Sequence, residues 1–160
     1  MNRRLLGPLV LLAAAAGMSS ARAAVWRMPV SKPKHRVVFH VGSGDPAIMA
    51  TALHNIENAA EHFIAEDPDI AENERLSIEL VANSGGYAML RADTSPVQDL
   101  LAELHAKRPF VVFSACQISR KSAEQREGKP IPQLSVASDV PSGVVRLCEL
   151  QEQGWSYIRV

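Results

Sequence analysis

A three-layer α/β/α sandwich with a mainly parallel five-stranded sheet is the fold class this sequence predicts, and three observations predict it. Five short runs rich in Val, Ile, Leu and Phe alternate with stretches of helical period between residues 36 and 160. Several of those runs are apolar without a break, as strands covered on both faces are. The connections carry helical stretches rather than tight hairpins, so successive strands run parallel with helices on both faces of the sheet.

The first strand is Val37-Val38-Phe39-His40-Val41, ended by Gly42-Ser43-Gly44. Asp45 caps the helix that follows, Pro46 takes its first position, and Ile48, Ala52, Ile56, Ala60 and Phe63 form its inward stripe. Glu66 to Arg75 reads as a polar solvent loop around Pro68. Leu76 to Ala82 is the second strand, with Asn83-Ser84-Gly85-Gly86 as its closing turn. Ser95-Pro96-Val97-Gln98 has a capping-box pattern that opens a helix with Val97, Leu100, Leu101 and Leu104 inward, and Pro109 stops it. Phe110 to Phe113 is the third strand and leads into Ser114-Ala115-Cys116-Gln117. Residues 118–133, charged and broken by Gly128, Pro130 and Pro132, leave room for one short helix. Leu134 to Ala137 is a weaker strand, Pro141 to Gln153 a helix ended by Gly154, and Trp155 to Val160 the last strand.

Three segments follow from this reading: a cleavable signal peptide over residues 1–23, an N-terminal extension over 24–35 and one globular domain over 36–160. Met1-Asn2-Arg3-Arg4 is cationic, Leu5 to Met18 is apolar, and Ala21-Arg22-Ala23 has the A-x-A pattern of a signal-peptidase site. The apolar run falls short of the roughly 20 residues that cross a bilayer, so export with cleavage near Ala23 is expected rather than a stable membrane anchor. The paired arginines raise the twin-arginine route, but their flanks match it poorly and general secretion is favoured. An oxidising compartment outside the cytoplasm is therefore expected. Composition agrees with one globular domain: of 160 residues, 47% are hydrophobic and 21% charged, with a net charge of +0. Without a global basic field, no nucleic-acid partner is expected.

Two cysteines remain for an oxidising compartment. Cys116 stands at the carboxyl end of a central strand and just before a helix start, where loops and helix N-termini converge in open parallel sheets. A thiolate is favoured there by the helix dipole and by the neighbouring cations Arg120 and Lys121. The same position also suits a small apolar residue that fills a strand end. Cys148 shares an arc of the last helix with Val144, Val145 and Leu147, and is expected to face the sheet as a buried hydrophobe. A bridge between the two is disfavoured by their places in the fold. His40 is the candidate base for Cys116; its alternative is a buried histidine held by hydrogen bonds. His54 and His62 lie on the polar side of the first helix, too far apart to share a metal. His35 and His105 have no thiol or carboxylate at ligand spacing, so no metal site is expected. Gly42-Ser43-Gly44-Asp45 and Ser84-Gly85-Gly86 lack the spacing of a phosphate loop and read as plain turns. Asp67-Pro68-Asp69 lies in the acidic surface loop, and hydrolase chemistry has no support.

The body of the chain resembles the DsrE/DsrF-like family of small sulfur-relay proteins, in its exported, periplasmic branch. The likeness rests on Arg36-Val37-Val38-Phe39-His40-Val41, on Phe110-Val111-Val112-Phe113-Ser114-Ala115-Cys116, and above all on Val140-Pro141-Ser142-Gly143-Val144 with Gln153-Gly154-Trp155-Ser156-Tyr157-Ile158. It implies that Cys116 carries sulfane sulfur as a persulfide, received from and passed to sulfur donor and acceptor proteins or small thiols, with no cofactor. It also implies a homo-oligomer, to which Ile131, Leu134 and Val136 are expected to contribute. The chain departs from the family pattern after the cysteine, where Gln117-Ile118-Ser119 stands, and after the second strand, where Asn83 to Gly86 offers no histidine. The alternative function is a non-catalytic interaction or ligand-binding module that uses the same strand-end loops. A self-resolving thiol redox cycle is disfavoured because no C-x-x-C pair is present.

Overall fold

The structure, a computed structural model, describes residues 35–66 and 68–160. The expected signal peptide, nearly all of the expected N-terminal extension and Asp67 lie outside the described residues. The elements in chain order are β1 (His35–Val41), α1 (Pro46–Ala65), α2 (Glu72–Arg75), β2 (Leu76–Ala82), a 3-10 helix (Ser84–Leu90), α3 (Gln98–Lys107), β3 (Val112–Cys116), α4 (Gln117–Glu127), β4 (Ala137–Val140), α5 (Gly143–Glu152) and β5 (Ser156–Arg159). The strands form one sheet of order β4-β3-β2-β1-β5, and every pairing is parallel. The chain is therefore a three-layer α/β/α sandwich, as its alternating pattern predicts. Among the described residues, no helix is long and apolar enough to cross a membrane.

The order of the strands decides which helices share a face. From β1 to β4 the chain steps across the sheet in one direction, and right-handed crossovers put α1, α3 and α4 on one side. The return from β4 to the far edge beside β1 reverses direction, so α5 lies on the other side. The first side carries the main core, with Met49, Ile56, Leu80, Leu90, Leu101, Phe113 and Ile131 all buried. The second side has one ten-residue helix over five strands. Its core is small, formed by Val38, Val81, Leu147 and Leu150 with Trp155 against them. Val112 and Tyr157 stay exposed there, because α5 is too narrow to cover β3 and β5 at once.

Local chemistry explains α1 directly. Asp45 Oδ1 accepts from the Ala47 amide at 2.8 Å, and Pro46 occupies the first position, where no amide hydrogen is needed. The Asp45→Ala variant is expected to lose about 1 kcal/mol, a fall of about 3–6 °C in the thermal midpoint. Calorimetry checks this, and an unchanged midpoint would show that the cap contributes nothing. The inward stripe of α1 is Met49, Ala52, Leu53, Ile56 and Ala60; Ile48 and Phe63 are only partly buried.

Several elements depart from the sequence reading. The acidic loop before β2 contains the short helix α2, and Arg75 within it is buried rather than solvated. Its guanidinium donates to the Ile64 and Ile70 carbonyls, which would otherwise be left without donors near the end of α1. Helix α3 starts at Gln98 with Val97 at its cap position; the Ser95 hydroxyl donates to the Met89 carbonyl at 2.6 Å and accepts from the Val97 amide at 3.3 Å, so the expected Ser95 bond closes the turn just before the helix. The fourth strand begins at Ala137 instead of Leu134. Leu134 gives its amide to Leu90 and packs against the main core, so Leu134 to Val136 is not available to the sheet. Ile131 is fully buried and cannot serve a subunit contact. His35 does meet a carboxylate, with Nε2 3.3 Å from Glu66 Oε2 and its ring stacked on Phe63.

Candidate functional site

Cys116 ends β3, and Gln117 begins α4 with no loop between them. The direction of its side chain follows from the strand period. Ser114, two residues earlier on the same face, hydrogen-bonds Glu79, which Arg146 of α5 also holds. Cys116 therefore faces the α5 side. A Cβ placed on Gly143 would lie 3.3 Å from the Cys116 Cβ and 2.9 Å from the Asn83 Cβ. Only a glycine lets the first turn of α5 come so close.

The sulfur consequently sits between two helix N-termini. Cys116 is buried, and burial alone would push its thiol up. Hydrogen bonds from the Ser119 hydroxyl and from the amides of Gly143, Ser119 and Ile118 outweigh that effect, and the thiol lies below its ordinary value of 9.0. Ile118 and Ser119 belong to the first turn of α4, and Gly143 to the first turn of α5. Each helix contributes unsatisfied amides and the positive end of its dipole. The Ser119 hydroxyl is itself oriented: its oxygen accepts from the Ser84 amide at 2.7 Å, which leaves its proton for the sulfur. Ser84 reaches that position with φ of +47°, the left-handed region that a non-glycine residue enters at a cost of about 1–2 kcal/mol. The arrangement stabilises an anion on sulfur without a base or a cation in contact with it.

The residues expected from sequence are placed as follows. The Arg120 guanidinium bonds Glu124 Oε1 at 3.2 Å and the Ile131 carbonyl at 2.8 Å, which turns it toward the chain beyond α4. Lys121 is exposed on α4. The strongest influences on the thiol come from neither. His40 Nε2 donates to Asn83 Oδ1 at 3.0 Å, and Nδ1 accepts from the Tyr157 hydroxyl at 2.7 Å. Both ring nitrogens are engaged, and β2 separates β1 from β3, a lateral distance of about 10 Å. His40 and Cys116 are thus not brought together; Asn83 stands between them, near the Gly143 backbone. Cys148 is exposed, contrary to the expected buried arc, and both cysteines are free. The phase of α5 is set by Gly143, Leu147 and Leu150, which face the sheet, while Val144 and Val145 are exposed. Among the described residues, no cluster of His, Cys, Asp and Glu is suited to a metal.

The site residues that the sequence concealed are Gly143, Ser119 and Ser84. A glycine directly after the cap Ser142 was the one available signal, since glycine in a first helical turn marks a close approach.

Searches of family models and of curated proteins return no match. A solved structure is similar: a protein of unknown function, MTH1491 from Methanobacterium thermoautotrophicum, with a TM-score of 0.61 and 30% identity, over 79% of this chain and 99% of that one. The chain belongs to the same family as that protein. Nearly the whole length of the relative is matched, so the shared unit is the complete sandwich and not a fragment of it.

Proposed function

We propose that the protein is a small periplasmic sulfur-relay protein, a carrier of sulfane sulfur as a persulfide on Cys116, as the resemblance to the DsrE/DsrF-like family implies. The observation that carries this reading is the convergence of two helix N-termini and the Ser119 hydroxyl on a single sulfur. Sulfur transfer needs a thiolate nucleophile and little else. The Cys116 thiolate attacks the outer sulfur of a donor persulfide; one S–S bond forms, the donor's breaks, and the donor leaves as a thiolate. An acceptor thiolate then attacks the outer sulfur of the product persulfide; a new S–S bond forms, the Cys116 S–S bond breaks, and Cys116 leaves as the thiolate that these amides stabilise. No cofactor enters. Exposed Val144, Val145 and Ile158 support self-association into a homo-oligomer, in place of the buried Ile131.

Polysulfide treatment followed by mass spectrometry tests the proposal. Because Cys148 is exposed and will react on its own account, the measurement is made in the Cys148→Ser background. One additional sulfur on Cys116, removable by a small thiol, is the expected result. An unmodified Cys116, or an adduct that persists after Cys116→Ser, would overturn the reading.

A further inference from the structure

We infer that the hollow between α4 and the start of the 3-10 helix binds the acidic end of a small sulfur donor, the persulfide of a carboxylate-bearing thiol. The inference rests on the relay reading and specifies its substrate class. The hollow has a volume of about 400 Å³ and is lined by Ser84, Gly85, Ile118, Ser119, Ser122 and Arg126. That volume falls within the range of about 300–1,000 Å³ usual for small-molecule sites. Its wall includes Ile118 and Ser119, which follow Cys116 in the first turn of α4, so the hollow lies beside the sulfur.

Its far end has an uncommitted cation. Arg91, Arg108, Arg120 and Arg146 each hold a carboxylate. Arg126 holds none, and the Ser122 hydroxyl makes no hydrogen bond among the described residues. Ser119, Ser122 and Arg126 are spaced three and four residues apart, so they share one face of α4. Helix side chains lean toward the N-terminus, which directs the Arg126 guanidinium back along that face toward Ser122. The rise from Cys116 to Arg126 is about 15 Å along the axis, and this lean shortens the span. A lone inorganic anion is too short for it. A small thiol whose carboxylate lies several bonds from its sulfur spans it, with the carboxylate on Arg126 and Ser122 and the outer sulfur at Cys116. Transfer then conserves electrons: the bond pair of the donor's S–S bond leaves on the donor's own sulfur, and no oxidant or reductant is consumed.

The test compares two donors in the Cys148→Ser protein, glutathione persulfide and the uncharged persulfide of 2-mercaptoethanol. The ratio of their loading rates on Cys116 is expected to favour glutathione persulfide and to fall about tenfold in Arg126→Ala, with partial recovery in Arg126→Lys. A ratio unchanged by Arg126→Ala overturns the inference. A second measurement does not depend on sulfur transfer. S-methylglutathione is expected to protect Cys116 from iodoacetamide in the parent protein and to lose that protection in Arg126→Ala. Absence of protection in the parent protein also overturns it. Protection without loading by either persulfide would retain this binding site and remove the relay reading, which separates the two failures.

Discussion

Gly143→Ala is expected to slow alkylation of Cys116 at neutral pH by roughly tenfold while leaving the limiting rate at high pH in place. The added methyl would sit 2.9 Å from the Asn83 Cβ and 3.3 Å from the Cys116 Cβ. Neither neighbour is the free end of a flexible chain, so the first turn of α5 must withdraw. With it goes the Gly143 amide, one of the donors that hold the thiol below 9.0. A hydrogen bond to a charged group is worth about 1.5–3 kcal/mol, which corresponds to tenfold or more in thiolate population. Alanine favours a helix over glycine by about 1 kcal/mol, and the crowding works against that gain, so the net change in stability is small beside the change in reactivity. The decisive measurement is alkylation rate against pH. The inflection is expected below 9.0 in the parent and higher in the variant, and coincident inflections would show that Gly143 does not hold the sulfur. The sign for stability follows from the same shift. Folding lowers the thiol's pKa, so the unfolded chain holds the proton more tightly. Stability therefore rises with pH through the interval between the folded and unfolded values, and is lost as pH falls through the folded one. Gly143→Ala flattens that rise.

The framework was legible because each of its signals is local. Val37 to Val41 is apolar and β-branched, Asp45-Pro46 opens a helix, and Gly154 ends one, and each of these acts within a few residues of itself. The positions that went astray depend on distant partners. Leu134 reads as strand by composition, yet Leu90 takes its amide and the core takes its side chain. Cys148 reads as buried beside Val144 and Val145, yet the rotation of α5 follows from what Gly143 and Arg146 must reach across the sheet. The site was half legible for the same reason. A cysteine at a strand end is visible in sequence, whereas the donors that act on it are mostly backbone amides, which every residue but proline possesses. Arg120 and Lys121 are near Cys116 in sequence, and helical geometry carries Arg120 off to Glu124 and Ile131.

Arg146→Ala is expected to be the most destabilising of the single changes considered, at about 3 kcal/mol. Glu79 is a carboxylate in the middle of β2 with 2% of its side chain exposed. Its partners are the Ser114 hydroxyl at 2.6 Å and the Arg146 guanidinium, which donates through Nε at 2.8 Å and through Nη2 at 2.6 Å. The pairing raises the Arg146 pKa above its ordinary value, chiefly through the hydrogen bond to Glu79. Breaking a buried pair from one side costs about 3–5 kcal/mol because a charge is left uncompensated. The lower end applies here, since the Arg146 side chain is 31% exposed and water can partly replace it. Against a total of about 5–15 kcal/mol for a domain, that is a large fraction. Replacing both residues by leucine removes the stranded charge and is expected to recover most of the loss. Urea unfolding of the parent, Arg146→Ala and the double variant Glu79→Leu with Arg146→Leu measures this. A double variant no more stable than Arg146→Ala would show that the stranded carboxylate is not the cause. The consequence reaches the sulfur as well. Arg146 lies one turn after Gly143 and ties the start of α5 to the sheet, so untying it frees the amide aimed at Cys116. Arg146→Ala should therefore move the alkylation inflection upward as Gly143→Ala does, although the two side chains share no contact with the reagent. The double leucine variant restores stability without restoring the tie, so its inflection should remain high. Stability and thiol reactivity thus separate in one set of proteins, and a double variant that recovered both would mean that packing alone, rather than this ion pair, positions the helix.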